Sequence, residues 1–260
     1  MEGKPSILEA DGIRLQTPAA WSARHRVLIG QALIALLAVG WATLRAARFA
    51  SRQLHFSGAY PSRSLLVFAA GALLMLPGLP AHHPYGRLGA ANAVTLVRGA
   101  LVALLAALVG EQAAGASLVA TVIATSVIAL DGCDGWLARR TRMTSAFGAR
   151  FDMEIDAALV AVLAVLAWQF GKVAAWVLLS GAMRYLFAAA ALCVPLLRRP
   201  LPPSYRAKSI AVVQMFVLVI AIAPWSSATF ASGVAAIGLA CLTLSFLLDI
   251  LWQARHPVRP

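Results

Sequence analysis

The sequence has few charged residues for its length. Charged side chains make up 12% of its 260 residues, whereas a soluble domain carries about 25%. Hydrophobic residues make up 61%, and several apolar runs reach the roughly 20 residues with which a helix crosses a bilayer. No alternation typical of strands recurs along the chain. The composition therefore excludes an ordinary soluble domain and predicts an all-α, polytopic membrane protein.

Cysteine is also scarce, which limits metal and disulfide chemistry. The three cysteines, Cys133, Cys193 and Cys241, are far apart and lie in or beside apolar segments. Their spacing matches no zinc site and no disulfide framework. We expect all three to be small buried hydrophobic residues.

Lysine is rare beside arginine, and the basic residues are unevenly placed. The chain has 3 Lys and 19 Arg and a net charge of +12. They cluster between apolar runs, where the positive-inside rule expects them, and no basic soluble module is present to bind nucleic acid. The bias toward Arg and Ala indicates a GC-rich bacterial genome and hence a plasma (inner) membrane.

Eight apolar runs each have about the length of one spanning helix. The runs cover 27–49, 64–80, 88–110, 116–138, 154–170, 173–197, 208–225 and 228–252. We interpret the chain as a tail (1–26), an accessory membrane hairpin (27–80) and a six-helix membrane domain (88–253).

The positive-inside rule orients the six-helix domain. The segments 139–150 and 198–208 are rich in arginine and should be cytoplasmic, whereas 110–116 and 225–229 contain no Lys or Arg. The hairpin fits less well, because its turn, 50–63, is flanked by arginines. Either one of its two runs lies in the membrane interface or the hairpin departs from the rule.

Half of the ten acidic residues fall within one short stretch. They are Asp131, Asp134, Asp152, Glu154 and Asp156. Ionised carboxylates at membrane depth are costly unless they are paired or bind a cation. The concentration therefore predicts a site.

Helical spacing places four of these acids together. Asp131 and Asp134 are three residues apart and Asp152 and Asp156 four apart, so each pair shares a helix face. The two helices are antiparallel, which brings the four carboxylates together near the cytoplasmic end. Glu154 lies about 200° round the helix from Asp152 and should point away.

Oxygen ligands of this kind suit a hard cation. We predict Mg²⁺ or Mn²⁺, with two ions shared among the four carboxylates. The alternative is neutralisation by Arg139, Arg140 or Arg150. An alternative function is an ion- or proton-coupled transporter, although a transporter would place its acids near the bilayer midplane.

At these residues the sequence resembles a known family. Positions 131–156 read DGCDGWLARRTRMTSAFGARFDMEID. This resembles the signature of the CDP-alcohol phosphotransferase (CDP-alcohol phosphatidyltransferase) family, D-x2-D-G-x2-A-R, a spacer, then G-x3-D-x3-D. The fixed positions are filled by Asp131, Asp134, Gly135, Ala138, Arg139, Gly148, Asp152 and Asp156. The resemblance covers 88–253, where Asn92, Thr95 and Arg98 also resemble the family's N-x2-T-x2-R; it does not cover the hairpin.

The resemblance implies an enzyme of phospholipid biosynthesis. A CDP-linked lipid, usually CDP-diacylglycerol, would pass its phosphatidyl group to an alcohol and release CMP. Asp131, Asp134 and Asp152 would hold the metals, and Asp156 would act as the base on the acceptor hydroxyl and also contact a metal. The residues implied around the CDP group are Asn92, Thr95, Gly135, Ala138, Arg139 and Gly148. Family members are commonly homodimers.

Four basic residues are candidates for binding a phosphate of the acceptor. They are Arg98, Arg184, Arg206 and Lys208. Arg184, Arg206 and Lys208 favour a phosphorylated acceptor such as glycerol 3-phosphate or an inositol phosphate. The alternative for Arg206 and Lys208 is that they only mark the cytoplasmic face. Arg184 has an equal alternative as the structural partner of Asp249 or of a motif carboxylate. His82 and His83, in a proline-flanked loop, should be solvated.

Overall fold

The fold is a bundle of helices. The structure, a computed structural model, describes residues 18–194 and 204–255. Within these ranges there are nine α-helices, a short 3₁₀ turn at Ala175–Val177 and no strand. The helices are α1 (Pro18–Gln53), α2 (Tyr60–Met75), α3 (Gly78–His82), α4 (Ala90–Ala106), α5 (Ala116–Arg140), α6 (Ala146–Gln169), α7 (Leu178–Cys193), α8 (Tyr205–Ile222) and α9 (Ala228–Arg255).

The prediction of an all-α, multi-pass membrane protein is confirmed. Six segments of the described chain are long and apolar enough to cross a bilayer: His25–Gln53, Tyr60–Pro80, Ala116–Arg140, Ala175–Cys193, Tyr205–Ile222 and Ala228–Arg255. The other two long helices, α4 and α6, are not among these six segments. Helix α4 is short, with 17 residues, and α6 carries three carboxylates in its first half, which make it less apolar. That α1 and α2 both span the bilayer stays a prediction.

The turn between α1 and α2 is fastened to the six-helix domain by a buried acid. Glu111 is 5% exposed and forms an ion pair with Arg63. It also accepts hydrogen bonds from the backbone N–H (2.8 Å) and the hydroxyl (2.6 Å) of Ser57. The Tyr60 hydroxyl donates to the Leu104 carbonyl at 3.0 Å. The hairpin turn therefore lies beside the segment after α4, and Arg63, which fitted the positive-inside rule poorly, has its own counter-charge.

Helix α6 forms the centre of the bundle, packing against α4, α7 and α8. Its residues Leu159, Leu163 and Leu166 are fully buried. Small residues let neighbouring helices approach closely, as in other membrane bundles. At Gly181 on α7, an added Cβ would lie 2.5 Å from the Ala161 Cα on α6. Close packing of α6 against α7 therefore requires glycine at this position.

We expect the Gly181→Ala substitution to destabilise the protein by about 1–3 kcal/mol, because the methyl group would push against backbone atoms that cannot rotate away. Gly233→Ala on α9 is the matched control, since its added Cβ meets no atom within 4 Å. Alanine there should be neutral or stabilise by about 0.5–1 kcal/mol. Thermal unfolding in detergent measures both, and equal midpoints would contradict the packing argument.

Two expectations about burial are wrong. All three cysteines are exposed on the bundle surface. In a membrane protein, hydropathy does not separate core from surface, because lipid is as apolar as the core. His83 is 3% exposed; its Nδ1 lies 3.0 Å from the Ser145 hydroxyl and its Nε2 lies 2.9 Å from the Arg87 carbonyl oxygen. His82 is exposed, as expected.

Some helices also begin at other residues than the apolar runs predicted. Helix α6 begins at Ala146 rather than near residue 154, because the Ser145 hydroxyl caps it by accepting from the Gly148 N–H at 3.0 Å. Helix α1 begins at Pro18, inside the predicted tail. The described ranges leave out residues 1–17, 195–203 and 256–260. These include most of the predicted tail and part of the basic segment 198–208.

Candidate active site

The four motif aspartates lie on two consecutive helices, α5 and α6, which are joined by a short connection and both pack on α4. Helix α5 continues to Arg140, so Asp131 and Asp134 lie within it rather than at its end. The connection turns at Arg142, which has a positive φ of 54°. The Tyr85 hydroxyl lies 3.1 Å from the carbonyl oxygens of both Arg142 and Thr144. The segment before α4 therefore helps to fix the connection between α5 and α6.

One buried guanidinium contacts all four carboxylates. Arg98 on α4 has no exposed side-chain surface. Its nitrogens lie 2.8 Å from an Asp131 oxygen, 2.6 Å from Asp134 and 2.5 Å from Asp156. It also pairs with Asp152. The predicted convergence of the four acids is therefore present, and a cation of the protein lies at its centre.

The arginine in contact with the acids is not one that the sequence suggested for this role. Among the described residues, none of Arg139, Arg140 and Arg150 forms an ion pair with the four acids, and Arg98 does. Its proposed contact with an acceptor phosphate is replaced here by contacts to carboxylates. The sequence did carry a signal, because the N-x2-T-x2-R spacing places Arg98 on the face of Thr95, whose hydroxyl lies 3.1 Å from an Asp134 oxygen.

The acid cluster differs in exposure from one member to the next. The Asp134 side chain is 6% exposed, whereas those of Asp131, Asp156 and Asp152 are 25%, 28% and 40% exposed. One oxygen from each of these three more exposed acids lies within 4.8 Å of the others. Opposite ligands of a bound Mg²⁺ are about 4.2 Å apart. The three carboxylates would therefore need to move together only slightly to bind one ion. The cluster could therefore hold a metal ion.

The charge of the cluster also suits a cation. If all four carboxylates are ionised, the one guanidinium leaves an excess of three negative charges. No other ion pair to these acids occurs in the described parts of the chain. Uncompensated carboxylates at membrane depth are costly. The donor set and its charge therefore both fit a divalent metal.

A polar cavity of about 220 Å³ lies beside the acid cluster. Nine predicted site residues line it: Asn92, Thr95, Asp134, Gly135, Ala138, Arg139, Gly148, Asp152 and Lys208. Sequence reasoning did not name the other residues of the wall, which are Ala91, Met143, Thr144, Ser145 and Ala149. The positions implied for the CDP group thus share one cavity.

Two glycines shape this cavity. At Gly148 an added Cβ would lie 2.9 Å from the Asn92 Oδ1, and the Asn92 amide is fixed by donating to the Leu88 carbonyl at 2.7 Å. At Gly135 an added Cβ would lie 3.3 Å from an Arg139 guanidinium nitrogen. Gly148 therefore allows α4 and α6 to meet, and Gly135 leaves room for the Arg139 side chain.

The other predicted basic residues mostly lie elsewhere. Arg184 pairs with Glu154 rather than with Asp249 or a motif carboxylate, so those two suggested partners are wrong. Glu154 accordingly points away from the cluster. Arg206 pairs with Asp249 at 2.5 Å. Of the residues proposed for the acceptor phosphate, Lys208 alone lines the polar cavity.

Comparison with known proteins gives the same family as the motif. The sequence model described as CDP-alcohol phosphatidyltransferase matches residues 88–247, which is more than half of the chain. This region begins just before α4 and leaves out the α1–α2 hairpin. No curated protein and no solved structure matches the chain significantly. The family transfers a phosphatidyl group from a CDP-alcohol to an acceptor and uses divalent metals. The chain is a membrane-embedded transferase that belongs to the CDP-alcohol phosphatidyltransferase family.

Proposed function

We propose that the protein transfers a phosphatidyl group from CDP-diacylglycerol to the hydroxyl of a small phosphorylated alcohol and releases CMP. The observation that carries this proposal is the acid cluster opening beside a polar cavity lined by the family's motif positions. Such an arrangement suits a diphosphate, because carboxylates can hold divalent ions at one edge while neutral and basic groups surround the nucleotide.

The polar cavity offers the contacts that a CDP group needs. Arg139 and Lys208 can form charge-assisted hydrogen bonds with phosphate oxygens. Asn92 and Thr95 supply polar side chains deeper in the wall. The small residue Gly135 lets a ligand come close to the helix backbone. We assign the donor's nucleotide to this cavity and its lipid chains to the bilayer.

Asp131, Asp152 and Asp156 would hold the metal ions, with Asp134 behind them. We propose Mg²⁺ or Mn²⁺, because all the ligands are carboxylate oxygens. When bound, divalent ions neutralise the diphosphate and the charge that develops on the departing CMP. Two ions would bring four positive charges against the excess of three on the cluster. The two negative charges of the diphosphate would then leave one negative charge, which Arg139 or Lys208 in the cavity wall can offset.

Asp156 is the proposed base. Its side chain is 28% exposed, so a hydroxyl can reach it. The acceptor oxygen forms a new bond to the phosphorus that carries the diacylglycerol, and its proton passes to the Asp156 carboxylate. The bond from that phosphorus to the CMP oxygen breaks, and the electron pair leaves with CMP. Positioning and electrostatics should supply most of the rate, as in other phosphoryl transfers.

Lys208 supports a phosphorylated acceptor, such as glycerol 3-phosphate or an inositol phosphate. It lines the polar cavity and has no ion-pair partner among the described residues. Arg139, Arg140 and Arg142 follow the acid cluster at the end of α5, which supports a site on the cytoplasmic side of the plasma membrane. A homodimer stays a prediction from the family.

Release of CMP by the purified protein tests the proposed function. We expect turnover with CDP-diacylglycerol, Mg²⁺ and one member of a panel of alcohols, with glycerol 3-phosphate and inositol phosphate faster than serine or choline. A chelator should abolish the release, and so should Asp131→Ala. Undiminished release from Asp131→Ala would contradict the assignment of the site, and faster turnover of serine would contradict the choice of acceptor.

A further inference from the structure

The accessory hairpin encloses an apolar cavity that the catalytic site does not use. This hairpin cavity, of about 260 Å³, lies between α1–α2 and the helices α4 and α6. Its wall includes Phe68 and Ala72 of α2, Leu96 of α4, and Phe151 and Ile155 of α6. Almost all of the lining is apolar. A phospholipid chain is the ligand that such a surface accepts at membrane depth.

The hairpin cavity persists because the hairpin is held at both ends. At one end lies the cluster of polar contacts around Glu111. At the other, the Gln31 side chain accepts from the Leu88 N–H at 3.2 Å. Between these ends, an added Cβ at Gly71 would meet no atom within 4 Å. The hairpin therefore leaves open space at Gly71, although Phe68 of α2 packs against the domain.

The hairpin cavity opens to the surroundings of the bundle. Val67, Leu74 and Tyr185 line it and are 40%, 76% and 47% exposed. Hydrocarbon is the solvent around these helices, so a chain from the bilayer can enter this cavity. There it would make dispersion contacts along the whole apolar lining.

Helices α4 and α6 separate the hairpin cavity from the acid cluster. They meet closely at two levels, Asn92 against Gly148 and Gly99 against Ile155. Asp152 and Asp156 lie on one side of this contact, on the face shared with Gly148. Of the residues that the structure describes, only Asn92 lines both cavities. A lipid in the hairpin cavity is therefore separate from a donor bound at the aspartates.

A second, more polar cavity continues the hairpin cavity at the end near α3. It measures about 190 Å³ and shares Phe147, Phe151 and Glu154 with the hairpin cavity. Its lining adds His82 and Arg150. The charge of Glu154 is balanced by an ion pair elsewhere, whereas Arg150 is exposed and has no ion-pair partner in the described ranges. The free cation at the mouth suits a phosphate.

We propose that the accessory hairpin creates a binding site for one anionic bilayer phospholipid, distinct from the donor site. One acyl chain fills the hairpin cavity, and the lipid phosphate lies against Arg150 with His82 beside it. Charge complementarity selects an anionic headgroup over a zwitterionic one, since Arg150 has no ion-pair partner among the residues that the structure describes.

Occupancy of the hairpin cavity is tested by native mass spectrometry of the full chain purified with its co-extracted phospholipid. Ala72→Trp should displace the lipid, because Ala72 lines the cavity. Ala70→Trp is the matched control, since Ala70 is exposed on the same helix and does not line the cavity. Gly71→Leu repeats the test with a smaller side chain if the first variant does not fold. Equal retention in all variants would overturn the proposal.

The headgroup is tested by titrating dioleoyl phosphatidylglycerol or dioleoyl phosphatidylcholine into delipidated protein. Arg150→Gln should weaken phosphatidylglycerol binding about tenfold, the effect of losing one charge-assisted contact. Arg140→Gln removes the same charge from a residue stacked on Trp136 and should have little effect. Equal binding of both lipids would overturn the anionic selection. Displacement by cytidine diphosphate, or loss of the lipid in Asp131→Asn, would instead identify the occupant as the donor.

Discussion

Replacing Asp156 by asparagine should lower kcat for CMP release by about 10²- to 10⁴-fold, the usual contribution of a positioned base. Asparagine has the same shape and can still accept a hydrogen bond from Arg98, which lies 2.5 Å away. Its amide cannot take up the proton of the acceptor hydroxyl. The amide oxygen can still bind a metal ion and the polar cavity is unchanged, so at saturating Mg²⁺ the KM for the lipid donor should change much less than kcat. Steady-state kinetics over a range of donor concentrations separates the two constants.

The neighbouring acid provides the control for Asp156. Glu154 lies two residues earlier on α6 and pairs with Arg184, with both side chains about one-third exposed. Glu154→Gln should therefore leave kcat close to that of the parent protein, and a partly exposed ion pair contributes at most about 1 kcal/mol to stability. Equal loss of activity in both variants, or normal activity in Asp156→Asn, would contradict the assignment of the base.

The sequence predicted the class of fold and the place of the site because both depend on local patterns. Hydropathy and the spacing of carboxylates on helix faces require no knowledge of distant contacts. That the acids of α5 and α6 meet also followed, since antiparallel helices with a short connection bring Asp134 and Asp152 to the same end, although in the structure both helices pack on α4. These are the features that the structure reproduces most closely.

What the sequence could not predict depends on contacts between segments far apart in the chain. Glu111 gave no local sign that it would compensate Arg63, because the two residues come from different helix pairs. His83 appeared to lie in a solvated loop, yet its partner Ser145 comes from the connection before α6. Apolar patterning likewise cannot show which cysteine faces lipid, because both environments are apolar.

The role of Arg98 depends both on a local sequence pattern and on contacts between distant segments. Its spacing from Thr95 showed that it shares a polar helix face, but nothing local indicated that four carboxylates would surround it. The contact depends on α4 packing against both α5 and α6. A cation buried in a membrane bundle is expected to be paired, and here the partners are the residues proposed to bind metal.

Arg98→Gln should destabilise the metal-free protein by about 3–5 kcal/mol, the cost of removing one partner from a buried ion pair. The substitution leaves four carboxylates close together, with no cation in contact with them. Divalent ions should reverse most of this loss, because an ion that binds only the folded state stabilises it by about 2.7 kcal/mol at one hundred times its dissociation constant. Mg²⁺ should therefore raise the unfolding midpoint of Arg98→Gln more than that of the parent protein.

Arg184→Gln is the matched control for Arg98→Gln. It removes an arginine from α7 whose side chain is 34% exposed and pairs with Glu154 alone, so its stability should change by less than about 1 kcal/mol, with no dependence on Mg²⁺. Thermal unfolding in detergent, with chelator and then with excess Mg²⁺, measures all three proteins. If Arg98→Gln unfolds at the same temperature in both conditions, the carboxylates do not share a metal ion. If its stability with chelator equals that of Arg184→Gln, the guanidinium does not hold the four acids together.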